Sequence, residues 1–391
     1  MAEGKKQPIW AEISLPRLVA NMNRLQKSLV NGDLLAVVKA DAYGHGAVVC
    51  AVELVRAGAR WLGVTSAEEG AEVRSALEEK KLEARILLMR GMLADDAETI
   101  LTANLTPAIW ELAHVDALEE AAARLGLKSV AIHVEVDTGM SRQGVSPEQL
   151  PSILARLTVD SPLQLEGVMT HFASAEEVDA PQNKEQIERL ANALAQIRAA
   201  GLRPKWLHAG STSTMDAGAA LPALHKLAAG CGARLMCRPG IGLYGYAMKL
   251  QGAASQAGAE LEPVLAWKTR ILALREVGAG ARVGYNGTFV AQGPTRLALL
   301  AVGYADGLRR SLSNTGEVLI GGRRARIAGR ISMDVCSVNV THIPEAAVGD
   351  EVVILGEQGG ERITADEHAR IDGTISYDIL CGIAKRVPRC Y

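Results

Sequence analysis

From Leu34 to Arg238 the sequence alternates eight times between a short apolar run and a longer stretch with helical periodicity. The runs are Leu34–Val38, Trp61–Thr65, Arg85–Met89, Asn104–Trp110, Val130–Val136, Leu165–Thr170, Lys205–Ala209 and Ala233–Arg238. They read as strands buried on both faces, which belong in parallel sheets covered by helices. Between them, Ser66-Ala67-Glu68-Glu69 is a capping box, Ser146-Pro147-Glu148 opens a second helix and Asn183 to Ala200 forms a long third. Gly58, Gly126 and Gly201 stand where helices should stop. Such regular alternation predicts an α/β fold, a (β/α)8 TIM barrel. A doubly wound sheet seldom needs eight strands in strict alternation.

The texture changes after about residue 248. Gln251 to Gly258 is a linker of small residues, and helical periodicity largely gives way to strand-like runs at Val264–Leu274, Arg296–Val302, Glu317–Ile320, Ala325–Ile331, Val335–Val340 and Glu351–Leu355. Gly321-Gly322 between two of them is a hairpin signal. The expected organisation is a barrel over residues 14–248 followed by an all-β C-terminal domain over 249–391, joined by an N-terminal strand at residues 8–13. Leu15 to Leu29 reads as an amphipathic helix between that strand and the barrel.

Composition narrows the function. The chain of 391 residues is 48% hydrophobic and 22% charged with a net charge of −2, which argues against nucleic acid or an anionic membrane as partner. Lys5 and Lys6 are not followed by an apolar export signal, and no run approaches membrane-spanning length. The cytoplasm is the expected compartment. The six cysteines form no CxxC pair and the eight histidines no HExxH cluster, so reduced thiols and no metal are expected. Aromatic residues are only 4%, two of them phenylalanine. Tyrosine is therefore not used here as bulk filler, and its positions carry information.

In a (β/α)8 barrel the chemistry sits after the carboxyl ends of the strands. Lys39 ends the first run, Asp137-Thr138-Gly139-Met140-Ser141-Arg142 follows the fifth, and His171-Phe172 the sixth. His208-Ala209-Gly210-Ser211-Thr212 closes the seventh, and Arg238-Pro239-Gly240-Ile241-Gly242 the eighth. Taken singly, Lys39 reads as a solvated strand end and His208 as a satisfied core histidine. Taken together, a rim of cations calls for an anion. Hydroxyls and glycine-exposed N–H groups in the last two loops suit a phosphate. A lysine on the first strand with a phosphate site opposite suggests pyridoxal phosphate, whereas a sugar-phosphate enzyme would normally show a carboxylate pair, which Asp41 and Asp137 do not form by position. The second domain adds Gly284-Tyr285-Asn286-Gly287, Gly303-Tyr304-Ala305-Asp306-Gly307, Ser332-Met333-Asp334 and Thr374-Ile375-Ser376-Tyr377. These tyrosines suggest polar work.

Six motifs in order, VVKADAYGHG, VDTGM-R-G, GVMTHFAS, RPGIGLYG, GYADG and SMD, resemble those of alanine racemase, of the fold-type III pyridoxal-phosphate enzymes. The resemblance extends from Trp10-Ala11-Glu12 to Cys390-Tyr391. It implies that Lys39 carries pyridoxal 5'-phosphate covalently and that Lys39 and Tyr285 are the two catalytic acid/base groups. It implies Tyr43, Thr212, the backbone at Gly240 and Ile241, and Tyr377 at the phosphate, Arg238 at the pyridine nitrogen, Arg142 at the phenolic oxygen and the substrate, and His171 linking the cofactor region to Tyr285. Met333 and Asp334 would line the substrate end. It also implies a homodimer in which each site takes its barrel from one copy and its β-domain from the other, with D-alanine supplied for peptidoglycan. His45 has no assigned role.

Two positions depart from the family. Glu135 stands where many members have a lysine, often carbamylated, and a carboxylate there can supply the same negative charge near Arg142. Ser211 stands where members often have Asn, a detail of cofactor contact. The leading reading is interconversion of L- and D-alanine. A racemase of another small amino acid, such as serine, is the alternative, since one hydroxyl changes binding modestly. A non-catalytic pyridoxal-phosphate carrier fits less well, because such carriers lack the second domain with Tyr285, Met333 and Asp334.

Overall fold

The structure, a computed structural model, describes residues 8–256 and 258–391. Lys5, Lys6 and Ala257 of the linker lie outside the described residues. Two compact units result: one comprises residues 16–42 and 47–262, the other the N-terminal segment through Leu15, Tyr43–Gly46 and Pro263–Tyr391.

The first unit is a closed barrel. After β1 (Ile9–Ile13), which belongs to the other unit, come β2 (Asp33–Val37), β3 (Trp61–Val64), β4 (Arg85–Leu88), β5 (Thr106–Ile109), β6 (Val130–Glu135), β7 (Leu163–Met169), β8 (Trp206–His208) and β9 (Arg234–Cys237). Each pairs in parallel with the next and β9 closes on β2. The expected eight strands are all present within a few residues of the apolar runs. Their inward and outward faces are both covered, as for Trp61–Val64, in which every residue is buried, and this is why the runs lack polar alternation. Helix ends follow their local signals. Ser66 Oγ accepts from the Glu69 N–H at 3.1 Å, and Gly126 takes φ 68° at the close of Leu112–Leu125.

The second unit is built on β10 (Leu265–Val277), which pairs antiparallel with β1, with Thr295–Leu300 and with Glu351–Gln358. Gly321 and Gly322, at φ 57° and 75°, turn the hairpin between Glu317–Ile320 and Arg323–Arg326. The unit is mainly strand, but also contains two short helices, Ala365–Asp372 and Ser376–Cys381. The first is announced by Thr364-x-x-Glu367: Thr364 Oγ1 accepts from the Glu367 N–H at 3.2 Å. Among the described residues no helix is long and apolar enough to cross a membrane, and no group of three or more candidate ligands could hold a metal.

Candidate active site

Lys39 follows β2 at the carboxyl rim of the barrel and opens a turn of unusual hand. Ala40, Asp41, Ala42 and Tyr43 all have φ of 53–54°, and Gly44 follows at 81°. A left-handed turn of L-residues costs roughly 1–2 kcal/mol per residue, so it persists only where contacts over-determine it. Within the barrel unit, the Ala42 N–H donates to Val38 O at 2.9 Å, the Asp41 N–H donates to Glu69 Oε1 at 3.1 Å, and Asp41 Oδ1 accepts from the Ala47 N–H at 2.8 Å. Within the other unit, Arg389 Nε donates to Gly44 O at 2.9 Å and the Tyr391 hydroxyl donates to His45 O at 3.2 Å. His45 is buried and its Nδ1 lies 2.9 Å from Tyr43 O. It serves the turn, and the strained backbone fixes where the lysine stem emerges.

The remaining rim loops are shaped by their own short-range bonds. Asp137 Oδ1 accepts from the N–H groups of Gly139, Met140 and Ser141 at 2.9, 3.0 and 3.1 Å, curling the loop that presents Arg142. Asp41 and Asp137 therefore do structural work and form no acid/base pair. Thr212 Oγ1 accepts from the Gly242 N–H at 3.1 Å. A Cβ at Gly242 would lie 2.8 Å from Thr212 Cγ2, so the close approach of the two last loops requires glycine. Gly240 and Ile241 lead into the same short turn, Ile241–Tyr244.

Arg238 is buried and held by two carbonyls: NH1 donates to His208 O at 2.6 Å and NH2 donates to Thr170 O at 2.7 Å. NH2 also lies 3.2 Å from His171 Nδ1. Burial and the charges of Arg238, Arg142 and Lys39 push the His171 imidazole down to about 3. His171 is thus neutral near pH 7 and accepts rather than repels the guanidinium, leaving Arg238, Arg142 and Lys39 as the cations of this region. Glu135 is buried at the end of β6. Burial pushes its carboxyl up, opposed by Arg238, by a hydrogen bond from Gln143 and by Arg142. Gln143, which the sequence offers no reason to single out, donates from Nε2 to Glu135 Oε2 at 2.6 Å and to Met89 O at 3.0 Å.

The other candidate residues belong to the second unit. The Tyr43 and Tyr377 rings meet at 5.9 Å between centroids. Elsewhere in this unit two sequence motifs interlock: the N–H groups of Tyr304 and Ala305 donate to Ser332 O and Met333 O at 3.0 and 2.9 Å. A Cβ at Gly303 would stand 2.2 Å from Met333 O, which explains the glycine. Asp334 accepts from Arg386 NH2 at 2.7 Å, and Asp306 accepts from Arg386 Nε at 2.7 Å. Tyr285 follows Gly284, at φ 72°, and is 67% exposed. Met333 is 53% exposed.

Residues 13–248 match the alanine racemase N-terminal domain and residues 264–391 the alanine racemase C-terminal domain. The chain belongs to the alanine racemase family. It is 39% identical to the alanine racemase of Syntrophobacter fumaroxidans over 377 residues, covering 96% of this chain and 95% of that one. It is 40% identical to that of Symbiobacterium thermophilum, covering 98% and 97%. The solved alanine racemase of D-cycloserine-producing Streptomyces lavendulae superposes with a TM-score of 0.89 at 31% identity, covering 99% of this chain and 97% of that chain. The chain is an amino-acid racemase, an isomerase of the alanine racemase type, with the (β/α)8 barrel and mostly-β second part of that family.

Proposed function

We propose that the chain interconverts L- and D-alanine with pyridoxal 5'-phosphate and two acid/base groups, Lys39 and Tyr285. The observation that carries this reading is the cationic neighbourhood of Lys39, Arg142 and Arg238 around one neutral histidine, His171. The residues present suit the cofactor chemically: the Lys39 amine would take its aldehyde, and in the barrel unit Thr212, whose Oγ1 already meets the Gly242 N–H at 3.1 Å, would with the backbone of Gly240 and Ile241 take its phosphate; the resemblance adds the hydroxyls of Tyr43 and Tyr377. When bound, pyridoxal phosphate supplies the electron sink that makes the α-proton of an amino acid removable.

The protein's part is to move protons and keep the reaction on course. Inversion requires one group to take the α-proton from one face and another to return a proton to the opposite face. Lys39 and Tyr285 are chemically suited to the two tasks. A tyrosine hydroxyl works as a base only where its surroundings favour the charged form, and the resemblance gives that task to Tyr285. Arg238 has donors and no acceptor. Facing the pyridine nitrogen, it would offer a hydrogen bond without giving up a proton, which limits how long negative charge is held on the ring. Arg142, Met333 and Asp334 would bound the substrate.

Tyr285 and Met333 are exposed in the single chain, which supports a homodimer whose sites are completed by the second copy; the D-alanine formed would go to peptidoglycan, as the resemblance implies. Mixing a Lys39→Ala preparation with a Tyr285→Phe preparation should then restore activity that neither has alone. The deciding experiment incubates each enantiomer of alanine and of serine with the cofactor-loaded protein in D2O. Deuterium at the α-carbon with inversion is expected for alanine. Faster exchange of serine would move the assignment to a serine racemase, and no exchange with any amino acid would sink the racemase reading.

A further inference from the structure

The interior of a (β/α)8 barrel is ordinarily filled by layers of branched aliphatic side chains. This one contains two fully buried imidazoles, His133 of β6 and His208 of β8, and the buried carboxylate of Glu166 in β7. The pairing of β6 with β7 slips between Ile132 and His133: Ile132 faces Leu165, whereas His133 faces Gly167. Glu166 is the extra residue of this bulge. Bulges of this kind re-aim a side chain and recur beside active sites. Gly167 completes the device, since a Cβ there would lie 2.6 Å from His133 Nδ1.

The contacts join into one line. Arg85 NH2 donates to Glu166 Oε2 at 2.6 Å and NH1 donates to Oε1 at 3.2 Å. His133 Nε2 lies 3.7 Å from Glu166 Oε2, His133 Nδ1 lies 2.6 Å from His208 Nε2, and His208 Nδ1 lies 3.3 Å from Arg238 NH1. The protons along this line follow from the chemistry of its ends. A guanidinium can only donate, so His208 Nδ1 accepts and the ring's single proton sits on Nε2. That proton is given to His133 Nδ1, so the His133 proton in turn sits on Nε2 and faces the carboxylate. Both rings are neutral in this arrangement. Burial, with the neighbouring His133 and Arg238, holds His208 well below the usual histidine range. Burial also lowers His133. Burial pushes Glu166 up, but His133 and Arg85 outweigh it and hold its carboxyl at about 2.

We propose that Glu166 is a positioning residue for Arg238, acting through His133 and His208. Its negative charge fixes the tautomer of both rings, so that an acceptor nitrogen always faces the guanidinium. Without that charge the line can invert: His133 would donate from Nδ1 to His208 Nε2, and His208 would present an N–H to Arg238, donor against donor. The arginine would then lose an acceptor on the side away from the reaction, and its plane would no longer be held. The role toward catalysis rests on the reading of Arg238 as the partner of the cofactor ring; the proton arrangement itself does not.

Long-range proton–nitrogen NMR on protein labelled with 15N-histidine reads the tautomers directly, with and without cofactor. In the wild-type chain both rings are expected as neutral Nε2–H forms, and an Nδ1–H form or a charged ring at either position overturns the proposal whatever the activity. Glu166→Gln keeps the shape and removes the charge. It is expected to mix or invert the pattern in at least one ring and to lower kcat for alanine about tenfold, the usual size for losing an outer partner of a working group, with KM little changed. Glu166→Asp should retain the wild-type pattern. An unchanged histidine pattern in Glu166→Gln overturns the proposal. If that variant does not fold, the wild-type pattern and that of Glu166→Asp still decide the matter. A wild-type chain with the expected tautomers but no racemisation would instead overturn the assignment of function.

Discussion

Gln143 donates a hydrogen bond to the buried carboxylate of Glu135 at 2.6 Å. The family's common lysine at this position, often carbamylated, owes its negative charge to added carbon dioxide. Here a carboxyl is built into the side chain, and Gln143 holds it in place. Racemisation should therefore be unaffected by stripping bicarbonate from the buffer and by adding it back. Glu135→Ala leaves Gln143 Nε2 without its carboxyl acceptor and removes the acid group on which the Arg238 and Arg142 charges act. A lost hydrogen bond to a charged group costs about 1.5–3 kcal/mol. Cofactor affinity should fall accordingly, on the order of tenfold or more, in a fluorescence titration. Unchanged affinity and kinetics would show that Glu135 is only a core filler.

Arg238 offers the second prediction. Two carbonyls hold the guanidinium in place, and under the proposed function this donor-only group would face the cofactor ring and keep negative charge from resting there. Arg238→Glu places a group there that can share a proton, which favours longer-lived charge and the side reaction of transamination. Racemisation should drop while pyruvate released from alanine rises, measured on protein whose near-ultraviolet circular dichroism shows it still folded. No rise in pyruvate relative to the wild type would refute this role.

The legible and the hidden parts of the molecule divide along a physical line. The eight barrel strands show in the sequence because burial on both faces leaves them predominantly apolar, and Lys39, Arg142 and Arg238 stand out because each interrupts such a run or the loop after it. What stays hidden depends on backbone geometry or long-range partners. Nothing in Ala40-Asp41-Ala42-Tyr43 announces a left-handed turn, because Ala and Tyr rarely adopt it and only tertiary bonds hold it. Glu166 reads as an ordinary polar residue until the one-residue slip against β6 turns it inward. Gln143 acquires meaning only beside Glu135. The helix Ala365–Asp372 was within reach, since Thr364 and Glu367 form a capping signal, but eight residues are too few for periodicity to speak clearly.

The left-handed turn makes a stability prediction. Ala40 is exposed and has φ 54°, so its methyl group makes no core contact yet bears the steric cost of that conformation. Glycine adopts it freely. Ala40→Gly should raise the unfolding free energy by about 1 kcal/mol, seen as a higher midpoint in urea. At an exposed site in an ordinary helix the same change would lower stability by about the same amount. A lower midpoint would mean that the turn is not left-handed in solution.

Acid should weaken the fold well before the carboxylates titrate. His114, His133, His171, His208 and His368 are all held below the ordinary histidine range, in each case chiefly by burial, with His171 at about 3 and His368 at about 4. In the unfolded chain these groups take up protons near their usual value of about 6.5. Below that pH the unfolded state binds protons that the folded state refuses, and each such group removes about 1.4 kcal/mol per pH unit until its own folded value is reached. Glu166 behaves with the same sign over a lower window, because its carboxyl stays charged in the fold down to about 2. Its contribution is full above about 4.5 and fades only below that. The urea midpoint should thus hold steady from pH 8 to about 7, fall steeply between about 6.5 and 4 as the histidines are lost, and fall further as Glu166 follows. A midpoint that stays flat down to pH 5 would contradict the neutral, buried state of these imidazoles, including the pair that joins Glu166 to Arg238.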